Sequence, residues 1–262
     1  MKIFLINLKK DTERLDLILH QFKKFNITNF EIVEAVYGKE LNDLELNSCY
    51  NRKSASRIIR ELSLSEIGCA FSHIKVYHRI IKENKRCLII EDDVILSDEF
   101  VNFIDIEIED SCDIVFFGLD TSNCEHENLP KTYLYKNIRY SKNLYGHTNR
   151  CYLKNSYSTF GDMNFYDIDE QTIKFNLLIG THAYAPSVEA CYKIININYP
   201  VKMMADYVWN FCDLSFKISK QNIVNVNRSL ESTISADRNF INENCQYGKH
   251  FVKKITSEWY NK

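Results

Sequence analysis

Ile3-Phe4-Leu5-Ile6-Asn7 and Phe30-Glu31-Ile32-Val33-Glu34-Ala35 bracket a helical pattern, and this stretch decides the architecture. The first run is four apolar residues closing on a polar one, as in a short buried strand. Leu15, Ile18, Leu19, Phe22 and Phe25 then recur at close to every 3.6 residues, with Asp11 placed to cap the helix they describe. The second run reads as another strand. A β-α-β opening of this kind argues for a parallel sheet with a right-handed crossover.

The same alternation continues outward. Ser63 or Ser65 can cap a long helix running to about Glu83, with Ile67, Ala70, Phe71, Ile74, Tyr77 and Ile81 on one face. Cys87 to Ile90 and Asp113 to Phe117 read as a third and fourth strand. Phe175 to Ile179 reads as a fifth, ending at Gly180-Thr181, with a helix near Ser187 to Ile197. The fold class is therefore α/β. Residues 38–62 carry no clear period. Residues 120–174 break the rhythm with a polar, tyrosine-rich stretch, read as a long binding loop or an inserted hairpin. Within it, Lys131, Lys136, Arg139, Lys142, Arg150 and Lys154 occur without an acidic residue from Lys131 to Asn155. The last forty residues read as a helical or irregular extension.

The 262 residues are 45% hydrophobic and 26% charged, ordinary globular values for one large domain. A net charge of -2 gives no reason to expect nucleic acid as a partner. Nine cysteines are scattered and never spaced as CxxC, which suits neither a zinc site nor a disulfide framework. Cys69 and Cys87 sit in apolar runs, where a reduced thiol acts as a small hydrophobe. Four apolar residues near the N-terminus are too few for a signal-peptide core, and no run approaches the roughly 20 that a membrane span needs. The expectation is a cytoplasmic protein that touches a membrane, if at all, peripherally.

Leu88-Ile89-Ile90-Glu91-Asp92-Asp93-Val94 carries the chemistry. Three consecutive carboxylates after a buried strand repel one another, so packing alone does not explain them. Strand alternation sends Glu91 and Asp93 to one side and Asp92 to the other. Two hard oxygen ligands at the carboxyl end of a parallel strand suit Mn²⁺ or Mg²⁺ bound to a diphosphate. A solvated turn or a helix N-cap would use the same residues.

With the triplet in place, the sequence resembles glycosyltransferase family 25, the lipopolysaccharide glycosyltransferases. Four segments carry the likeness: Ile6-Asn7-Leu8 with Thr12-Glu13-Arg14; Glu34-Ala35-Val36-Tyr37-Gly38; Leu64 to His73 leading to Glu91-Asp92-Asp93; and Gly180-Thr181-His182-Ala183-Tyr184 followed by Met203-Met204-Ala205-Asp206. The resemblance implies a GT-A type fold in a single catalytic domain. Residues 1–118 would form the nucleotide-binding half, 119–215 the acceptor-binding and catalytic half, and 216–262 a C-terminal extension. It also implies a UDP-hexose donor, galactose favoured over glucose, inversion at the anomeric carbon, and a lipopolysaccharide oligosaccharide acceptor at the inner membrane.

On this resemblance, Asn7, Leu8, Arg14, Ala35, Val36, Ser72, His73, Asp92, Gly180 and Thr181 are the expected donor-binding residues. Asp93 is the expected metal ligand, with help from Glu91. Asp206 is the expected base that takes the acceptor proton, with Asp162, Asp167, Asp169 and Glu231 as rivals. Plainer roles stand beside these: Arg14 as a helix surface charge, His73 as a structural histidine, Gly180-Thr181 as a strand-to-helix turn, and Asp206 as a helix cap. The tyrosine-rich basic stretch suits an acceptor site or a solvated loop. Two other classes remain: a family member that has lost catalysis and acts as a binding module, and a nucleotidyltransferase. The first would have lost the metal carboxylates. The second would show a glycine-rich phosphate loop, and Asn7 to Arg14 contains no glycine.

Overall fold

A computed structural model describes residues 1–58, 61–104, 112–118, 134–135, 138–142, 149–153, 165–168, 181–219, 223–227, 229–230 and 234. The chain opens with β1 (Ile3–Asn7), α1 (Thr12–Lys24) and β2 (Phe30–Glu34), as the apolar spacing predicts. Asp11 stands at the N-cap of α1, but its side chain makes no capping hydrogen bond. The unassigned stretch that follows holds a 3-10 turn at Gly38–Glu40 and two short helices, α2 (Asp43–Cys49) and α3 (Arg52–Ile58).

The long helix α4 (Leu64–Glu83) starts at Ser63, not Ser65. Ser63 Oγ accepts from Glu66 N at 3.2 Å while Glu66 accepts from Ser63 N at 2.9 Å, a capping box that is itself buried. Next come β3 (Leu88–Glu91), β4 (Val94–Leu96), α5 (Phe100–Ile104), β5 (Ile114–Phe116) and four short strands, β6 (Leu134–Tyr135), β7 (Ile138–Lys142), β8 (Asn149–Leu153) and β9 (Phe165–Ile168). β10 (Ala183–Pro186), α6 (Val188–Asn198), β11 (Phe216–Ser219) and β12 (Val224–Val226) complete the described elements.

Seven strands form the main sheet, in the order β2-β1-β3-β10-β5-β11-β9. β1 pairs in parallel with both β2 and β3, and β5 with β11. β10 enters antiparallel between β3 and β5, and β9 pairs antiparallel with β11. The sheet is mixed, with helices on its faces, and the α/β class holds. Alternation along β1 divides the core: Ile3 and Leu5 face α1, while Phe4 and Ile6 join the larger cluster under α4. Within 120–174, β6, β7 and β8 make a separate antiparallel sheet, while β9 joins the main one.

One expectation falls outside the described residues and another changes. The strand at 175–179 lies outside the described residues, and the strand that is described beside Thr181 follows it as β10. The proposed extension from 216 is not separate: β11 belongs to the main sheet, and β12 pairs with β4. Asn227 N then donates to Asp93 O at 2.6 Å, so the chain returns to the acidic triplet.

Glycines fix how α4 meets the sheet. A Cβ on Gly68 would sit 2.5 Å from Val36 O and 2.7 Å from Gly38 N, and one on Gly38 would collide with Leu64 O. Backbone against backbone, this contact has no side chain that can yield. Gly68→Ala should therefore cost about 1–3 kcal/mol, the usual penalty of overpacking. Urea denaturation reads it as a lower midpoint at unchanged m-value, and an unchanged midpoint would mean the two segments part freely.

Candidate active site

The parallel triplet β2-β1-β3 places three strand ends side by side. Asn7 lies opposite Glu34, and Ile6 opposite Glu91, so Asn7, Ala35 and Asp92 emerge on one edge. A cleft of about 100 Å³ opens there. It is walled by the β1 end (Asn7, Leu8), the β2 end (Ala35 to Gly38), α4 (Ser65, Cys69, Ser72, His73) and the triplet. Asp11, Arg14 and Ile234 complete the rim. Eleven predicted residues thus meet in one place: Asn7, Leu8, Arg14, Ala35, Val36, Ser72, His73, Glu91, Asp92 and Asp93 line it, and Thr181 touches Glu91.

Strand alternation does not carry through the triplet. β3 ends at Glu91, and the chain turns at Asp92-Asp93 before β4. The two aspartates consequently converge on one guanidinium: Arg14 Nη2 lies 2.6 Å from Asp92 Oδ1 and 3.0 Å from Asp93 Oδ2. Arg14 is thus mostly buried and ion-paired to both aspartates at the cleft rim. Asn7 Nδ2 donates to the other Asp92 oxygen at 2.7 Å and to Asp11 O at 3.1 Å. Asp93 Oδ1 is buried and has no hydrogen-bond donor among the described residues.

Glu91 is held from the other side. Its Oε1 accepts from Thr181 Oγ1 and lies 3.2 Å from His73 Nε2. Thr181 reaches it because antiparallel β10 begins beside the end of β3, where Glu91 N donates to His182 O at 3.0 Å. His73 Nδ1 is 2.7 Å from Tyr184 Oη, which is 2.7 Å from Tyr77 Oη. His73 is therefore buried between a tyrosine pair and a carboxylate. Ser72 is committed too: its hydroxyl donates to Gly68 O and accepts from Val36 N, both at 2.7 Å.

The carboxyl groups titrate in opposite directions. Burial raises Glu91, but the His73 hydrogen bond and charge and the Thr181 hydroxyl outweigh it and hold this group below the usual range. Burial pushes Asp92 up to about 6 against the pull of Arg14 and Asn7. Burial and the Glu91 charge push Asp93 up to about 7, with Arg14 opposing. Three carboxylates against one guanidinium leave a net negative wall. A diphosphate would be repelled by it unless a cation stood between them.

Some candidates fall elsewhere. Asp206 is half-buried just before a 3-10 turn at Val208–Phe211; it does not line the cleft, and Tyr207, not Asp206, is the residue at the cap of that turn. Gly180, Asp162, Asp169 and Glu231 lie outside the described residues, as do Lys131, Lys136 and Lys154. Asp167, Arg139, Lys142 and Arg150 are placed only as strand positions in β9, β7 and β8. Sequence reading missed Cys69, Tyr37 and Asp11 as cleft residues. For Cys69 a signal existed, since it precedes His73 by four residues on one helix. No disulfide joins Cys49, Cys69, Cys87, Cys112, Cys191 or Cys212, and among the described residues no helix is long and apolar enough to cross a membrane.

The chain is similar to several curated proteins over its parts. It is 37% identical over 107 residues to procollagen galactosyltransferase 2 of Mus musculus, covering 38% of this chain and 16% of that protein. The match to procollagen galactosyltransferase 2 of Homo sapiens has the same identity and coverage. A putative glycosyltransferase R655 of Acanthamoeba polyphaga mimivirus is 30% identical over 96 residues, 36% of this chain and 29% of that protein. The matched part thus amounts to less than a third of each of these relatives. The profile of glycosyltransferase family 25 (LPS biosynthesis protein) matches residues 1–209, a span holding every cleft residue but Ile234. This protein belongs to glycosyltransferase family 25.

Proposed function

We propose that this chain is a divalent-metal-dependent, inverting hexosyltransferase. It moves galactose, in preference to glucose, from a UDP-sugar to a lipopolysaccharide core oligosaccharide. The observation that carries the reading is the convergence of Asp92 and Asp93 on Arg14, with a buried Asp93 Oδ1 that no described donor satisfies. An acceptor-only oxygen in that setting is suited to a cation. The galactose preference is supported by the likeness to the procollagen galactosyltransferases, and the acceptor class by membership of a family of LPS biosynthesis proteins.

Asp93 would hold Mn²⁺ or Mg²⁺, with Glu91 beside it. When bound, the ion offsets charge that grows on the departing UDP. Arg14 keeps Asp92 and Asp93 together despite their repulsion. Asn7 fixes the second oxygen of Asp92, and the backbone at Leu8, Ala35 and Val36 offers edges for the nucleoside. The Tyr37 ring lies on the same wall, with Lys10 Nζ 3.7 Å from its centroid. Asp206, carried in from the acceptor side, is proposed to remove the acceptor hydroxyl proton as that oxygen attacks the anomeric carbon. Inversion needs one displacement, so no protein nucleophile is required. The site is proposed to work in the cytoplasm, with acceptor presented at a membrane surface.

UDP release from UDP-galactose and UDP-glucose, with Mn²⁺ or EDTA, tests the reading. Turnover of galactose donor that needs metal and falls at least about 100-fold in Asp93→Ala is expected. Metal-independent turnover, or none with either donor and no metal-dependent UDP binding, would overturn it. Asp206→Asn should lower kcat by about 100-fold or more while leaving the affinity for UDP intact, the pattern of a lost base.

Asp93 also sets a pH dependence. Its folded pKa of about 7 exceeds the unfolded value of about 3.9, so the folded, metal-free protein binds the extra proton between these limits. The stability this proton supplies is full below about pH 4 and is lost as pH rises through 7. A cation replaces the proton, so Mn²⁺ should raise Tm more at pH 7.5 than at pH 5.5. Asp93→Asn should remove most of that difference.

A further inference from the structure

We propose that the cleft holds a second cation site, made by Cys69, His73 and Glu91 and suited to a thiophilic ion such as Zn²⁺. Cys69 and His73 are four residues apart on α4, which puts both side chains on one face. Glu91 meets them from the end of β3. One ligand atom from each of the three lies within 4.8 Å of the others. Usual zinc bond lengths give tetrahedral edges of about 3.3–3.6 Å, so the widest separation needs to close by at most about 1.5 Å. His73 Nε2 and Glu91 Oε1 are already 3.2 Å apart.

Chemistry separates this site from the one at Asp93. Thiolate and imidazole select zinc-like ions, whereas carboxylates alone suit Mn²⁺ and Mg²⁺. The supporting shell is present as well. Coordination through His73 Nε2 requires the ring proton on Nδ1, where Tyr184 Oη, 2.7 Å away, can accept it. A neutral ring only moves its proton from Nε2 to Nδ1, a protonated one releases its Nε2 proton to solvent, and in either case the Cys69 thiol proton is released as well. Thr181 Oγ1 orients Glu91. Cys69 is half-buried and lines the cleft, which gives the ion a path in and leaves a fourth position open to water. Because Glu91 is common to both sites, a zinc ion here competes with the ion at Asp93.

Co²⁺ titration of the metal-stripped, reduced full-length chain without nucleotide tests the proposal, apart from any transferase activity. The wild type should show a thiolate-to-cobalt charge-transfer band in the near ultraviolet, removed by one equivalent of Zn²⁺. Cys69→Ser, checked for native circular dichroism, should lose the band and weaken Co²⁺ binding by about 10-fold or more, whereas Asp93→Asn should keep it. A band that survives in Cys69→Ser, Co²⁺ binding with no thiolate band, or a band lost equally in Asp93→Asn would each overturn the assignment.

Discussion

Arg14 holds together a turn that would otherwise fly apart. Asp92 and Asp93 are adjacent in sequence and largely withdrawn from water, and their charges are brought within 2.6 and 3.0 Å of the same guanidinium nitrogen. Burial disfavours both charges, as the raised pKa values of about 6 and 7 record. One cation is insufficient for three carboxylates. The turn is thus stable as a protein feature yet underneutralised as an electrostatic one, which is the condition in which a divalent ion and a diphosphate can bind together.

The wall facing this turn is set by contacts between backbones. Gly38 and Gly68 let the start of α4 lie directly on the loop after β2. Ser72 then ties the same helix to Val36 N. Residues that a motif comparison would assign to ligand binding are therefore also the clamps that shape the cleft. Ser72 spends its hydroxyl on the protein, and His73 is fixed between Tyr184 and Glu91. Both shape the cleft through the position of α4 and Glu91.

Distant segments close the site. Antiparallel β10 brings Thr181 to Glu91 and Tyr184 to His73, while the segment after β12 returns Asn227 to the carbonyl of Asp93. A sheet made only of parallel strands would leave the end of β3 without these partners. The mixed topology is what lets the second half of the chain support the acidic turn.

The sequence by itself determined the β-α-β opening, α4 with a serine cap at Ser63 or Ser65, the strand before the triplet, and the gathering of charge at Glu91, Asp92 and Asp93. These features are local: an apolar period, a capping residue and a run of charge act within a few positions of each other. Tertiary structure alone decided that Arg14 takes Asp92 and Asp93, that Asn7 takes Asp92 across 85 residues, and that His73 meets Tyr184 across 111. It also set Cys69 where the apolar core meets the edge of the cleft. Such pairings follow from strand order and from the turn that cancels side-chain alternation after Glu91, and strand order is fixed by the packing of the whole sheet, to which no single segment holds the information.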